Sequence, residues 1–201
     1  MKGRRWALAF VVLAACSSSP STTAATSRYE PADLGGIELL PADAPSGLSY
    51  VPAFSGDQDL DAFARDAGEK AALTADGFEL GNGALFVPSD RAGGGHLTPA
   101  DPIVQGTVAV FARDDGASSS LTRYLTDLRE RQFTGTRDRD AIALGDEAYR
   151  MDATNSDGAP VTVLAWRRAN LVMVVIGTSF PPSSVETLAR LVDGRAAGIA
   201  G

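Results

Sequence analysis

Leu171-Val172-Met173-Val174-Val175-Ile176 is apolar at every position. Side chains of a strand alternate between two faces, so six apolar residues in a row need cover on both sides of a sheet. Val161 to Arg168 precedes this run across Ala169-Asn170, and the two segments read as one hairpin. Whatever else the chain forms, this hairpin belongs at the centre of a sheet with layers on both faces, or of a sheet curved around a cavity.

The rest of the chain supplies those layers. A helix is expected from Asp57 to about Ala75, with Leu60, Phe63, Ala64, Ala67 and Ala71 at helical spacing and Asp57 as its cap. Phe78 to Val87 reads as a strand whose Gly81 and Gly83 suggest a bulge or a bend. Ile103 to Ala112 is a second strand, with Val104, Gly106, Val108, Val110 and Ala112 on one face and Ile103, Gln105, Thr107, Ala109 and Phe111 on the other. A second helix, from about Ala117 to Phe133, turns Leu121, Tyr124, Leu125 and Leu128 inward and Asp127, Arg129, Glu130 and Arg131 to water. Thr134 to Asp140 reads as a charged loop and Ala148 to Met151 as a short strand. After the hairpin, Pro181-Pro182 breaks the chain, and a last helix carries Val185, Leu188, Ala189 and Val192 inward. Ile37 to Leu40 and Leu48 to Val51 read as short edge strands or packed coil. The expectation is an α+β domain with a largely antiparallel sheet of about five strands and three helices, in α-ββ-α-βββ-α order.

The N-terminus has a different character. Lys2, Arg4 and Arg5 precede an apolar run from Trp6 to Leu13, followed by small residues. That is the layout of a secretory signal peptide, too short for a bilayer span of about 20 apolar residues. Leu13-Ala14-Ala15-Cys16 contains the chain's one cysteine and resembles the lipobox of bacterial lipoproteins. The resemblance implies cleavage after residue 15, diacylation of Cys16 (palmitate among the acyl groups) and anchorage on the extracytoplasmic face of the cell membrane. An ordinary secreted protein whose signal ends near a cysteine is the alternative. Ser17 to about Glu30 is poor in core-forming residues. The expected organisation is a signal peptide over 1–15, a lipidated cysteine with a disordered Ser/Thr/Ala tether over 16–31, and one α+β domain over 32–201.

Charge and residue inventory narrow the function classes. Removing residues 1–15 takes away three cations and no acid, so the formal charge moves from −7 to about −10. Such a surface repels nucleic acid and anionic headgroups, so membrane attachment falls to the acyl chains on Cys16. No second cysteine exists for a disulfide, and with His96 as the lone histidine the usual zinc and iron ligand sets are out of reach. No cofactor is expected. Asp57-Gln58-Asp59-Leu60-Asp61 has Ala62 and Gly68 where a calcium loop wants Gly and Glu, so it reads as an acidic first turn. The chain lacks a Gly-x-Ser-x-Gly elbow, a Ser-x-x-Lys pair and a phosphate loop. Ser118 to Ser120 read as capping and turn, and His96 as a loop residue.

Leu144-Gly145-Asp146-Glu147-Ala148, Val163 to Val172 and the helix Glu186 to Ala197 resemble a broad set of actinobacterial extracytoplasmic domains. That set includes small cell-envelope lipoproteins with a Mog1/PsbP-like α+β sandwich and sensor domains of membrane-bound kinases. The resemblance covers about residues 57–197. It implies a binding or envelope-support role without enzymatic activity and carries over no catalytic residue. Phe111, Tyr124, Trp166 and Arg167 are the candidate ligand-binding residues; the aromatics serve equally well as core. Arg137, Arg139, Arg167 and Arg168 concentrate positive charge and either hold an anionic group or form a solvated rim offset by Asp138 and Asp140. The expected function is a non-catalytic module for a small apolar or amphipathic ligand or an envelope protein partner. The alternatives are an envelope hydrolase or transferase, or a structural partner of a membrane complex. Pro88 to Pro102, long and Gly-rich, is the candidate lid, or else a plain surface loop.

Overall fold

The computed structural model describes residues 28–140 and 142–199. The signal peptide, Cys16 and the tether up to residue 27 lie outside the described residues. Tyr29, which the sequence reading places in the tether, is buried, its hydroxyl donating to the Ala196 carbonyl. Asn170, in the hairpin turn, fixes it there. Its amide accepts from Tyr29 N and donates to the carbonyls of Tyr29 and Phe111.

Eight strands form one antiparallel sheet. They are β1 (Leu48–Tyr50), β2 (Gly56–Gln58), β3 (Phe78–Pro88), β4 (Ile103–Phe111), β5 (Thr134–Arg139), β6 (Glu147–Thr154), β7 (Pro160–Arg168) and β8 (Leu171–Thr178). The order is β1-β3-β4-β8-β7-β6-β5, with β2 also pairing on the outer edge of β3. The apolar run thus occupies the middle strand, β8, between β4 and β7. Five helices accompany the sheet: α1 (Leu34–Ile37), α2 (Leu60–Phe63), α3 (Ala67–Asp76), α4 (Asp114–Asp127) and α5 (Pro182–Ile199).

Both faces of the sheet are covered, as β8 requires. On one face α1 and α5 pack over Phe86, Val104, Val108, Leu164, Trp166, Met173 and Val175. On the other, α3 and α4 pack over Ala109, Phe111, Val163, Ala165, Val172 and Val174. The last helix buries the expected residues and adds Ala196.

Among the described residues the counts differ from expectation, eight strands and five helices against about five and three, for identifiable reasons. The helix expected over 57–75 is divided. Asp57 pairs opposite Asn82 in β2 instead of capping; Asp59 caps α2, and Asp66 caps α3. Thr134–Arg139 is the edge strand β5 rather than a loop, and it is nearly all exposed. With neither face buried it has no apolar alternation to reveal it. Leu34–Ile37 is one helical turn where a strand or coil begins in the sequence reading. Ser118 to Ser120 lie inside α4, which starts at Asp114. Gly81 marks no bulge; it is a close approach, because a Cβ there would lie 2.3 Å from the Phe63 ring. The irregularity in β3 falls between Phe78 and Leu80.

Candidate ligand-binding cleft

On the face carrying α3 and α4 the cover is incomplete. A cleft of about 430 Å³ opens between α2–α3, α4 and the sheet. Strand alternation builds its floor: Thr107, Ala109 and Phe111 of β4 share a face, and Val172 and Val174 of β8 lie beside them. Phe63 and Leu73 form one wall. Ser120 and Tyr124, one helical turn apart on α4, form the other. Phe63 is held from behind by Phe78, with ring centroids 4.8 Å apart, and Phe78 meets Phe111 edge-on at 5.8 Å.

The mouth is charged, and each of its arginines is paired with a carboxylate. The chain between α2 and α3 is extended at Ala64, which lets Arg65 reach over the cleft. Its guanidinium grips Glu69 through Nε and Nη2, at 2.8 and 3.0 Å, and reaches Asp127 through Nη1. Asp127 also accepts from Gln132 at 2.8 Å and lies 3.5 Å from Arg131. Arg123 pairs with Asp76 at 2.6 Å. Burial pushes the Asp127 carboxyl up, but hydrogen bonds from Arg65 and Gln132 outweigh it and hold it below the usual carboxylate range. Burial drives the Tyr124 hydroxyl up to about 12, so it stays a neutral donor at any physiological pH. After Asp127 the helix widens into a single π turn, Leu128–Gln132, which brings Glu130 and Arg131 to the rim. Glu130 and Arg131 therefore line the cleft, whereas Asp127 reaches it from the regular helix, on the same face as Ser120 and Tyr124; the sequence reading turns all three to water.

The structure brings two of the four candidate ligand residues together. Phe111 and Tyr124 line the cleft. Trp166 is fully buried in the opposite core, its indole donating to Asp193. Arg167 sits at the end of the hairpin, donating to the Ala169 carbonyl and lying 3.6 Å from Asp146 and 3.5 Å from Glu147. The four-arginine group does not converge on one site: Arg168 pairs with Asp193 and Arg139 with Asp152. No residue of the Pro88–Pro102 loop lines the cleft, and the carbonyl of Pro99 accepts from Ser179 at the other end of β8. His96 is exposed there, away from the cleft. Arg65, Ser120 and Asp127 are the cleft residues that sequence reasoning missed. The spacing of Ser120, Tyr124 and Asp127 along one helix face was the available signal.

Fold and cleft together define a class: an α+β domain with an antiparallel sheet sealed on one face and hollowed on the other. No family model matches the sequence, and no curated protein matches it either. Among solved structures, the extracellular domain of PknH from Mycobacterium tuberculosis superposes with a TM-score of 0.55 at 10% sequence identity. The match covers 86% of this chain and 99% of that one. At that identity the likeness is one of fold alone.

Proposed function

We propose that this chain is an envelope lipoprotein, anchored through acyl chains on Cys16, whose domain is a non-catalytic binding module on the extracytoplasmic side. The observation that carries the binding role is the cleft. Its volume falls in the range of about 300–1,000 Å³ typical of small-molecule sites, and its apolar floor is ringed by a few polar groups. The fold shared with an extracellular domain and the lipobox-like Leu13-Ala14-Ala15-Cys16 support the location. The arginines of the mouth are held in ion pairs, which suits holding a molecule rather than transferring a proton.

Native mass spectrometry of the protein purified from bacterial envelopes tests this reading. The wild type is expected to carry a small-molecule mass. Ala72→Trp fills the cleft from its half-exposed wall and should lose that mass while keeping its melting temperature. An Ala72→Trp protein carrying the same mass would contradict the reading. For the anchor, metabolic labelling with an acyl analogue should tag the wild type and not Cys16→Ser; an untagged wild type sinks it.

A further inference from the structure

We infer that the cleft selects an uncharged amphiphile: an acyl chain lies on the floor, and a neutral ester or hydroxyl headgroup meets the Tyr124 hydroxyl. This rests on the cleft being the binding site, and it follows from how the charges there are spent. Arg65, Arg123 and Arg131 face Asp66, Glu69, Asp127 and Glu130 around the mouth, three cations to four anions. Each cation already has a carboxylate: Arg65 holds Glu69 and Asp127, Arg123 holds Asp76, and Arg131 lies against Asp127. An anionic headgroup would have to displace one of these pairs, in a mouth whose formal balance is already negative. A cationic headgroup fares little better. Glu69 and Asp127 are taken by Arg65, Asp66 accepts the Glu69 backbone N–H at the start of α3, and Glu130, the mouth carboxylate outside these pairings, is exposed to water.

The inner cleft offers neutral chemistry instead. Its floor is Ala109, Phe111, Val172 and Val174, which an acyl chain covers at about 25 cal/mol for each Å² removed from water. Thr107, Ser120 and Tyr124 are the uncharged hydroxyls beside it. Among the described residues the Tyr124 hydroxyl takes part in no hydrogen bond. It stands at the junction of the apolar floor and the charged mouth, where an ester carbonyl of a bound monoacylglycerol would sit. A molecule whose headgroup is neutral leaves every ion pair of the mouth in place and closes beneath it.

Competition on the purified protein separates this inference from the reading it rests on. The neutral fluorophore N-phenyl-1-naphthylamine reports occupancy, and three amphiphiles with ten-carbon chains compete below their micelle concentrations: 1-decanoylglycerol, decanoate and decyltrimethylammonium. The fluorophore should brighten on binding. Decanoylglycerol should displace it at concentrations at least tenfold lower than either charged competitor. Tyr124→Phe should weaken decanoylglycerol about five- to tenfold and leave the fluorophore unchanged. If decanoate or decyltrimethylammonium competes as well as decanoylglycerol, or Tyr124→Phe changes nothing, the neutral-headgroup inference is overturned while the cleft stands. If the fluorophore does not bind, the cleft reading itself falls, and the inference with it.

Discussion

Glu38 follows α1 and faces Asp57 of β2, Asn82 of β3 and Arg195 of α5. Its Oε2 is buried without a partner, and so is Oδ1 of Asn82. Burial, and then the Asp57 carboxylate, raise its pKa. A group whose folded pKa is raised binds its proton more tightly in the folded state. Its stabilising contribution is therefore complete below the ordinary carboxylate pKa and is lost as pH rises through the folded value. At neutral pH the ionised Glu38 is a liability. Glu38→Gln places no charge in this buried position, so it should raise Tm by a few degrees at pH 7. The difference from wild type should shrink as pH falls through the carboxylate range. Asp43 and Asp127, whose values are lowered, lose stability there in both proteins and so cancel from the comparison. Thermal melts of the two proteins between pH 4 and pH 7.5 check this; a gap that grows toward acid contradicts it. None of this was legible in the sequence. Glu38 reads as an ordinary polar residue after an apolar one, and only the arrival of β2 and α5 from elsewhere in the chain makes it costly.

Elements were legible to the extent that they bury a periodic face. The β7–β8 hairpin, β4, the stripe of α4 and the inward face of α5 all stand where the apolar pattern puts them. Elements without such a face were not. The edge strand β5 is exposed, and α2, one turn long, has no fully buried residue. The site was half legible for the same reason. Phe111 and Tyr124 sit on periodic faces, whereas Arg65 reaches the cleft because the helix expected there breaks at Ala64. Gly81 holds that break in place by letting Phe63 lie against the backbone of β3. Gly81→Val should push Phe63 off the strand, cost about 1–3 kcal/mol in denaturant unfolding and weaken capture of N-phenyl-1-naphthylamine. Wild-type stability with wild-type capture would show that α2 is not seated as described.

At the scale of the whole molecule, the two faces of the sheet have different tasks. One is closed by α5 and the N-terminal segment, stapled through Tyr29 and Asn170. The other leaves room between α2–α3 and α4. A chain of this size with no disulfide must draw its stability from the packed layers, and the sealed face lets the opposite one remain partly hollow. The segments that frame the hollow, residues 59–76 and 120–132, should therefore respond to a ligand. The loop 89–102, at the other end of β8, should not. Hydrogen–deuterium exchange with and without N-phenyl-1-naphthylamine reads this directly. The account predicts slower exchange in those two segments and no change across residues 89–102 or in α5; protection confined to that loop or to α5 would place the binding site elsewhere and contradict it.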